Sequence, residues 1–397
     1  MNLRPLLLMV LGHTVVDTSQ NILPVVLPLL HARFNLSYAQ VGLAAALLNL
    51  SSSVIQPVFG WISDRWGIQW FIPAGIVWTG ILMGVIGLVP SYWALLLVLT
   101  LTGVGTAAFH PIASMAAAHA SQGQRGLGMS LFSAGGNLGF AVGPILMTWL
   151  LAWFSLRGTI LLMGLGILTA GLIHCYRGEI EVPYMGARRR RSQEDVGIPW
   201  GKLSGLCVLI TLRSWGASGM VVFMPLLFMQ QGVALSITGR ALFVFLFFGA
   251  LGGMLGGYIS DRIGRQQVIA TSLLLYPALM AAALSLQGSL RWILLAIAGA
   301  ALLASNSVTV VFAQELLPHH IGIASGLTLG LAFGAGGVGV GVSGFMADLV
   351  GLQASVWSLL LLPGLGGLLA LRLKSPGRDP REVTSATITK VSETATE

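Results

Sequence analysis

The sequence predicts an all-α integral membrane protein with twelve transmembrane helices in two pseudo-symmetric six-helix bundles. Of its 397 residues, 55% are hydrophobic and only 9% are charged, against roughly 25% charged in an ordinary soluble domain. A transmembrane barrel would show alternating strands of about ten residues, and the sequence has no such alternation. An internal repeat with an offset of 197 residues predicts the two bundles.

A helix that crosses the hydrocarbon core needs about 20 apolar residues. Twelve such segments are predicted, at residues 3–30, 40–64, 70–89, 93–119, 126–152, 157–176, 203–231, 238–261, 267–287, 290–316, 321–350 and 354–373. The residues between the sixth and seventh spans are charged, and the C-terminal residues are polar and rich in Ser and Thr. The predicted domains are an N-terminal bundle (1–176), a cytoplasmic linker (177–202), a C-terminal bundle (203–374) and a disordered cytoplasmic tail (375–397).

The repeat is found in two different pairs of predicted helices. Residues 60–67 and 257–264 share the pattern Gly-x-x-x-Asp-Arg-x-Gly, and Pro-Leu-Leu at 28–30 recurs at 225–227, both with the same offset. Two helices with one offset indicate homologous halves in parallel orientation. Glycines at every fourth position are predicted to let the halves pack closely: Gly135, Gly139 and Gly143, and Gly322, Gly326, Gly330 and Gly334.

The net charge of +8 is interpreted as a topology signal. With both termini in the cytoplasm, most of the 21 Lys and Arg residues fall on the cytoplasmic side, as the positive-inside rule requires. We therefore expect membrane lipids, and no nucleic acid, beside the basic residues, and we expect a monomer.

Ionisable residues inside a span cost about 2.5–3.5 kcal/mol each on insertion scales and are functional candidates. On the first span, His13, Asp17 and Asn21 are spaced by four residues and share one helical face, with Gln20 beside them. Asp17 is predicted to carry a proton and His13 to tune it, while Asn21 and Gln20 are candidate substrate contacts. The alternative is a structural hydrogen-bonded pair.

Arg213, on the seventh span, lies at nearly the depth of Asp17, because the offset maps Asp17 onto Ser214. A guanidinium matches carboxylate or phosphate oxygens, so Arg213 is predicted to bind an anionic substrate, or else to pair with Asp17 or Glu315.

Two other spans carry candidates near the cytoplasm. His110 precedes a proline in the fourth span and is either a proton relay or a satisfied packing histidine. Glu315, near the end of the tenth span, is predicted either to couple protons or to form a capping or gate salt bridge. Its neighbour Gln314 is a candidate substrate contact.

The repeated segment predicts a cytoplasmic gate that favours the outward-open form. Its aspartates can face the N-terminus of a helix in the other half, whose partial positive charge attracts carboxylate, and its arginines are expected to be their fixed ion-pair partners. The predicted gating residues are Gly60, Asp64 and Arg65 in the first copy and Gly257, Asp261, Arg262 and Arg265 in the second.

Enzyme and cofactor motifs are absent from the sequence. It contains no P-loop, nucleotide fingerprint, HExxH or Cys cluster, so we expect no enzyme activity, no cofactor and no metal. The adjacent His319 and His320 do not face one another on a helix and are not interpreted as a metal site.

Several of these motifs resemble the major facilitator superfamily and, within it, the fosmidomycin resistance protein family of bacterial efflux transporters. The resemblance covers nearly all of residues 3–374. It rests on His13 and Asp17, Gln56-Pro57, Gly60 with Asp64, Phe109-His110-Pro111, Gly135-Gly136-Asn137, and above all Gln314-Glu315-Leu316-Leu317-Pro318 with Ile321-Gly322, Ser325-Gly326-Leu327 and Ala332-Phe333-Gly334.

The resemblance implies proton-coupled export of drug-like substrates, including a phosphonate antibiotic, across the bacterial inner membrane. The predicted mechanism is alternating access about a central cavity lined by spans one, four, seven and ten. A proton-coupled importer of a small organic anion shares the fold and the buried charges. A non-transporting membrane enzyme or scaffold is the remaining alternative.

Overall fold

The computed structural model describes residues 1–66, 68–182, 199–286, 288–317 and 321–373. Over these residues the chain forms α-helices joined by short turns and two short 3₁₀ helices, Ser155–Ile160 and Arg177–Glu179. The α-helices are α1 (Leu3–Gln20), α2 (Leu23–Phe34), α3 (Tyr38–Trp66), α4 (Phe71–Val85), α5 (Tyr92–Ala120), α6 (Arg125–Phe154), α7 (Leu161–Cys175), α8 (Trp200–Gln230), α9 (Leu235–Ile263), α10 (Arg265–Ser285), α11 (Ser289–Leu316), α12 (Ile321–Val350) and α13 (Leu352–Ala370). Residues 183–198 of the predicted linker, His319, His320 and the tail 375–397 lie outside the described residues.

The prediction of an all-helical membrane protein is confirmed. Among the described residues, ten helical stretches are long and apolar enough to cross a bilayer. One of them, residues 126–175, is 50 residues long and contains both α6 and α7. The apolar helix α4 is shorter, at 15 residues. The count of twelve spans stays a prediction.

The first predicted span is broken in the middle. Helix α1 ends at Gln20 and α2 begins at Leu23, with Pro24 in its first turn. Proline has no backbone N–H and cannot donate to the carbonyl one turn earlier, so the helical ladder stops there. The break places Asn21 between two helices at the depth where the polar residues of this span cluster.

The same helix pairings occur in both parts of the chain. In the first part α1 packs on α6, α3 and α4 pack on α5, and α4 packs on α7; in the second α8 packs on α12, α9 and α10 pack on α11, and α10 packs on α13. The most extensive contacts between the parts are α3 with α12 and α6 with α9, which also correspond, and α2 contacts α8 and α9. Two homologous halves would give this pattern, although the predicted domain boundaries stay a prediction.

The halves are joined where α3 begins and α12 ends. The exposed Asp348 accepts hydrogen bonds from the backbone N–H of Tyr38 (2.7 Å) and of Ala39 (2.9 Å). Beside it, a Cβ on Gly344 would lie 2.3 Å from the carbonyl oxygen of Tyr38, and one on Gly42 would lie 2.7 Å from that of Val340. Only glycine permits so close an approach at this end.

The glycine series work differently from the prediction. Gly135, Gly139 and Gly143 pack against α1 of their own half, where a Cβ would lie within 2.8 Å of a carbonyl oxygen of α1. Gly326 and Gly330 of α12 face open space, because a Cβ on either would have no neighbouring atom within 4 Å. The prediction that these series bring the two halves together is therefore wrong for them. The close contacts of α12 with α3 lie farther along the helix, from Gly337 to Gly344.

Candidate functional site

A cavity of about 240 Å³ lies between the two halves. It is lined by α1, α2, α3 and α6 from the first half and by α8, α9, α11 and α12 from the second. Most of its lining is apolar, and the part of the chain that the structure describes contributes no charged residue to it. Its polar lining residues are Gln20, Asn21, Asn49, Asn137, Ser218 and Asn306.

The predicted lining by four spans is partly wrong, since the described residues of α5, the fourth span, do not reach this cavity. Gln20 lies in front of α5 and donates from Nε2 to the hydroxyl of Thr106 on that helix (2.7 Å). The cavity wall at this point is therefore α1, with α5 behind it.

Asp17 is the centre of a buried polar cluster, which we call the Asp17 cluster: His13, Asp17 and His110. Asp17 is 3% exposed. Its Oδ2 lies 3.2 Å from Nε2 of His13, one turn earlier on α1, and its Oδ1 lies 3.4 Å from Nε2 of His110 on α5. The four-residue spacing predicted that His13 and Asp17 lie together. In the structure, the packing of α5 on α1 adds His110 to this pair.

The neighbouring helix α6 holds His13 in place. His13 Nδ1 lies 2.8 Å from the carbonyl oxygen of Phe132, and the two rings stack. A Cβ on Gly136, also on α6, would lie 2.5 Å from His13 Nε2 and 2.8 Å from Asp17 Oδ2. The cluster therefore has room only because this position of α6 is a glycine.

The contact with Phe132 limits how protons are distributed in the cluster. A carbonyl oxygen only accepts, so the hydrogen of a neutral His13 ring is on Nδ1. Its Nε2 would then direct a lone pair at the Asp17 carboxylate, which is repulsive. The contact becomes attractive when one more proton is present, on Nε2 or on the carboxyl group. This geometry suits a site that binds and releases a proton.

Arg213 forms the corresponding polar contact in the second half. It is 3% exposed, and its Nη1 donates to Oδ1 of Asn306 on α11 while Nη2 donates to the hydroxyl of Ser214 (3.1 Å). The predicted alternative of a pair with Asp17 or Glu315 is wrong, because both acids have other partners. Arg213 lies behind the cavity wall, and Asn306 lines the cavity.

Sequence reasoning did not select Asn306. The available signal was the repeat: the offset of 197 residues maps His110 onto Ser307, which is adjacent to Asn306. Adding the offset to the number of Asp17 leads to the position next to Arg213. Adding it to the number of His110 leads to the position next to Asn306, the partner of Arg213.

Glu315 lies in an ion-pair network of the second half. Arg265 donates from Nε to Glu315 Oε1 (3.1 Å) and from Nη1 to Asp261 Oδ1 (2.6 Å). Of the two roles predicted for Glu315, the structure contains the salt bridge. Its neighbour Gln314 does not line the cavity.

The repeated segments differ in their arginine contacts. Arg65 lies over the rings of Trp61 and Trp66, at 5.6 and 5.5 Å, and Arg262 lies over the ring of Tyr258 at 4.2 Å. The prediction that Arg262 is the ion-pair partner of Asp261 is wrong.

Asp261 instead pairs with Arg265, the first residue of α10 in its own half, and not with a helix N-terminus of the other half. The chain turns between α9 and α10 at Gly264 (φ 102°), and this turn brings the Arg265 side chain to Asp261, whereas Arg262 lies over Tyr258. The side chain of Asp64 lies outside the described part. Gly60 and Gly257 face equivalent helices, toward Pro111 of α5 and Ser307 of α11.

Comparison with known proteins identifies the family. The family model of the Major Facilitator Superfamily matches residues 9–337 and, in a second match, residues 206–394. The chain belongs to the major facilitator superfamily. It is 35% identical over 387 residues to the uncharacterized MFS-type transporter YfnC of Bacillus subtilis (strain 168), with 93% of each chain covered. It is 33% identical over 371 residues to the fosmidomycin resistance protein of Escherichia coli (strain K12), with 90% of each chain covered.

Solved structures show the same major facilitator fold. A bacterial homolog of the human lysosomal transporter Spinster, in an inward-facing and occupied conformation, superposes with a TM-score of 0.77 at 17% identity, covering 94% of this chain and 98% of that chain. The predicted superfamily and the resemblance to the fosmidomycin resistance protein are confirmed. The chain is a multi-pass membrane transporter of small molecules and not an enzyme.

Proposed function

We propose that this major facilitator protein is a proton-coupled exporter in which the Asp17 cluster binds the proton and the central cavity binds the substrate. The observation that carries the proposal is the position of Asp17, buried between two imidazole rings on adjacent helices. A carboxylate with two histidines can exchange a proton without a change of position. If the Asp17 cluster were a purely structural contact, pH would have no effect on transport.

The cluster lies where a change of charge can act on the other half. Gly139 of α6 contacts the α1 backbone, and a Cβ there would lie 3.1 Å from Cβ of Asp17. Farther along α6, the side chain of Thr148 lies against Gly239 of α9. Protonation of Asp17 therefore alters the surface on which α6 rests, and α6 in turn contacts the second half. This is the proposed path from proton binding to the rearrangement of the halves.

The proposed orientation has both termini in the cytoplasm of a bacterial cell, with the protein in the inner membrane. The basic residues support this orientation through the positive-inside rule. The halves are joined at the far end, through Asp348, and α12 faces open space at Gly326 and Gly330. With this orientation, the opening between the halves faces the cytoplasm, and we propose that this form receives substrate from there.

The proposed substrate is a small amphiphilic or anionic compound, such as a phosphonate antibiotic. The similarity to a protein named for fosmidomycin resistance supports export of this class, and the buried charge of Arg213 behind the cavity favours an anion. For an anion, a negative-inside potential drives export by about 2.3 kcal/mol per charge per 100 mV.

The test uses purified protein in liposomes with labelled fosmidomycin. For an antiporter, vesicles whose lumen is more acidic than the medium should accumulate the compound as protons leave, whichever way the protein is inserted. We expect Asp17→Asn to reduce this gradient-driven accumulation to the level of protein-free vesicles. The matched control is Ser214→Asn, the equivalent position of the second half, which should keep the dependence on the gradient.

Accumulation that requires an acidic medium instead would contradict the proposal. It would support the second candidate, a proton-coupled importer of a small organic anion, which the buried Arg213 also suits. Flux that is indifferent to both gradients, or to Asp17→Asn, would remove the proton role of the cluster.

A further inference from the structure

The polar residues of the cavity are mainly carboxamides, each of which can donate or accept a hydrogen bond. The partner behind a carboxamide decides which of its two ends is left for a substrate. For Gln20, Asn21 and Asn306 the structure provides that partner. The orientation of each amide can therefore be derived from what the partner is able to do.

On the second-half wall, Asn306 is turned so that it donates. Arg213 Nη1 contacts its Oδ1, and a guanidinium has donors only. The carboxamide oxygen is therefore directed at Arg213, and its NH₂ group is left for the cavity. Asn306 is exposed there, whereas Arg213 is buried. The positive charge of Arg213 thus acts on the cavity through Asn306.

On the first-half wall, two carboxamides are turned the other way. Asn21 donates from Nδ2 to the carbonyl oxygen of Phe140 (2.5 Å), and a carbonyl oxygen only accepts. Gln20 donates from Nε2 to the hydroxyl of Thr106 (2.7 Å), which itself donates to the carbonyl oxygen of Thr102 (3.4 Å). Each of these NH₂ groups uses one of its two hydrogens within the first half, so the oxygen of each carboxamide is left as a free acceptor.

We propose that the two walls select substrates that carry a hydrogen-bond acceptor at one end and a hydrogen-bond donor at the other. An acceptor group, such as a carboxylate, carbonyl or phosphonate oxygen, binds at Asn306. A hydroxyl or N–H donor binds at Asn21 and Gln20. Asn306 is then a specificity-determining residue, and Arg213 is a positioning residue that fixes its amide. The inference rests on the proposed function only in taking the cavity as the substrate site.

The test measures binding by calorimetry at constant pH with no gradient, so that it is independent of proton coupling. The probes are 3-hydroxypropylphosphonate, which has both groups, propylphosphonate, which has the acceptor only, and 1,3-propanediol, which has donor hydroxyls without the phosphonate. We expect the first to bind about tenfold more tightly than either of the others, because each of those leaves the polar groups of one wall without a partner.

Substitution of Asn306 tests the donor wall. Asn306→Asp replaces the NH₂ group with an acceptor of the same size and is expected to weaken binding of both phosphonates about tenfold or more. Asn49→Asp is the matched control, because it places a carboxylate in the same cavity on the other wall. Equal losses in the two variants would show general repulsion of an anion by the cavity and would overturn the assignment.

Arg213 is tested by its effect on selectivity. Arg213→Met releases the amide of Asn306, so the preference for 3-hydroxypropylphosphonate over propanediol should disappear. Arg213→Lys keeps a donor and should keep most of that preference. A general loss of packing would instead reduce the preference equally in the Met and Lys variants. Failure of all three probes to bind the wild type would also overturn this proposal. The proton-coupling proposal would be unaffected, because its flux assay uses a different compound.

Discussion

The two halves place polar residues on equivalent helix pairs but with charges of opposite sign. In the first half, Asp17 of α1 contacts His110 of α5; in the second, Arg213 of α8 contacts Asn306 of α11. The repeat offset maps the first pair onto residues directly next to the second. A carboxylate among imidazoles can change its charge, whereas a guanidinium stays charged. In the proposed mechanism the variable charge therefore lies in the first half and the constant charge in the second.

The largest expected effect on transport comes from filling the space that Gly136 leaves beside His13 and Asp17. Gly136→Ala places a methyl group 2.5 Å from His13 Nε2 and 2.8 Å from Asp17 Oδ2. Overpacking costs typically about 1–3 kcal/mol, and we expect gradient-driven transport to fall about 100-fold, near the upper end of that range. Initial rates in liposomes would measure it.

Gly330→Ala is the control for that substitution, because Gly330 faces open space. It should leave the rate close to that of the wild type. If both alanine variants transported at the wild-type rate, the tight packing around the Asp17 cluster would have no bearing on transport.

A smaller effect is expected from removing one imidazole. His110→Gln keeps a polar side chain but removes a ring that lies 3.4 Å from Asp17. Because a charged neighbour within about 4–6 Å alters the balance between carboxyl and carboxylate by about tenfold or more, we expect about a tenfold lower rate and a changed pH profile of transport. Asn306→Gln, in the half with the constant charge, should change affinity and leave the shape of that profile unchanged. A change of profile in both variants would remove the distinction between the halves.

The smallest effect is expected at the membrane surface, where the second half has Arg265 and the first copy of the repeat has Ile68. Arg265→Ile removes the ion pairs to Asp261 and Glu315 and makes the two copies alike. Surface ion pairs contribute about 0–1 kcal/mol, so transport rates should change by about threefold or less. A complete loss of transport would instead make this network part of the gate.

Periodicity predicted most of the helices and the pairing of His13 with Asp17, because both depend on residues close in the chain. The break at Asn21 was also available, from Pro24. The contact with His110 was not, since it requires knowing that α5 packs beside α1. The partner of Arg213 was missed for a different reason: the prediction started from ionisable residues inside the spans, and Asn306 is uncharged, although the repeat offset from His110 leads to the neighbouring position. Adjacent residues misled the gate prediction, where Arg265 and not Arg262 meets Asp261.

Asp348 has a consequence for the energy of the transport cycle. Its carboxylate joins the halves at the solvent edge, by accepting from two backbone N–H groups. A carboxylate at the solvent edge avoids the desolvation that a buried ion pair requires. When the halves separate, water can hydrogen-bond to the carboxylate and to the two backbone N–H groups. Reopening this end exchanges these two hydrogen bonds, each with a net value of about 1.5–3 kcal/mol when one partner is charged, for hydrogen bonds to water, and it also separates the close backbone packing of α3 on α12 at Gly42 and Gly344. The protein can thus be firmly shut here in one state and still release the contact once in every turnover.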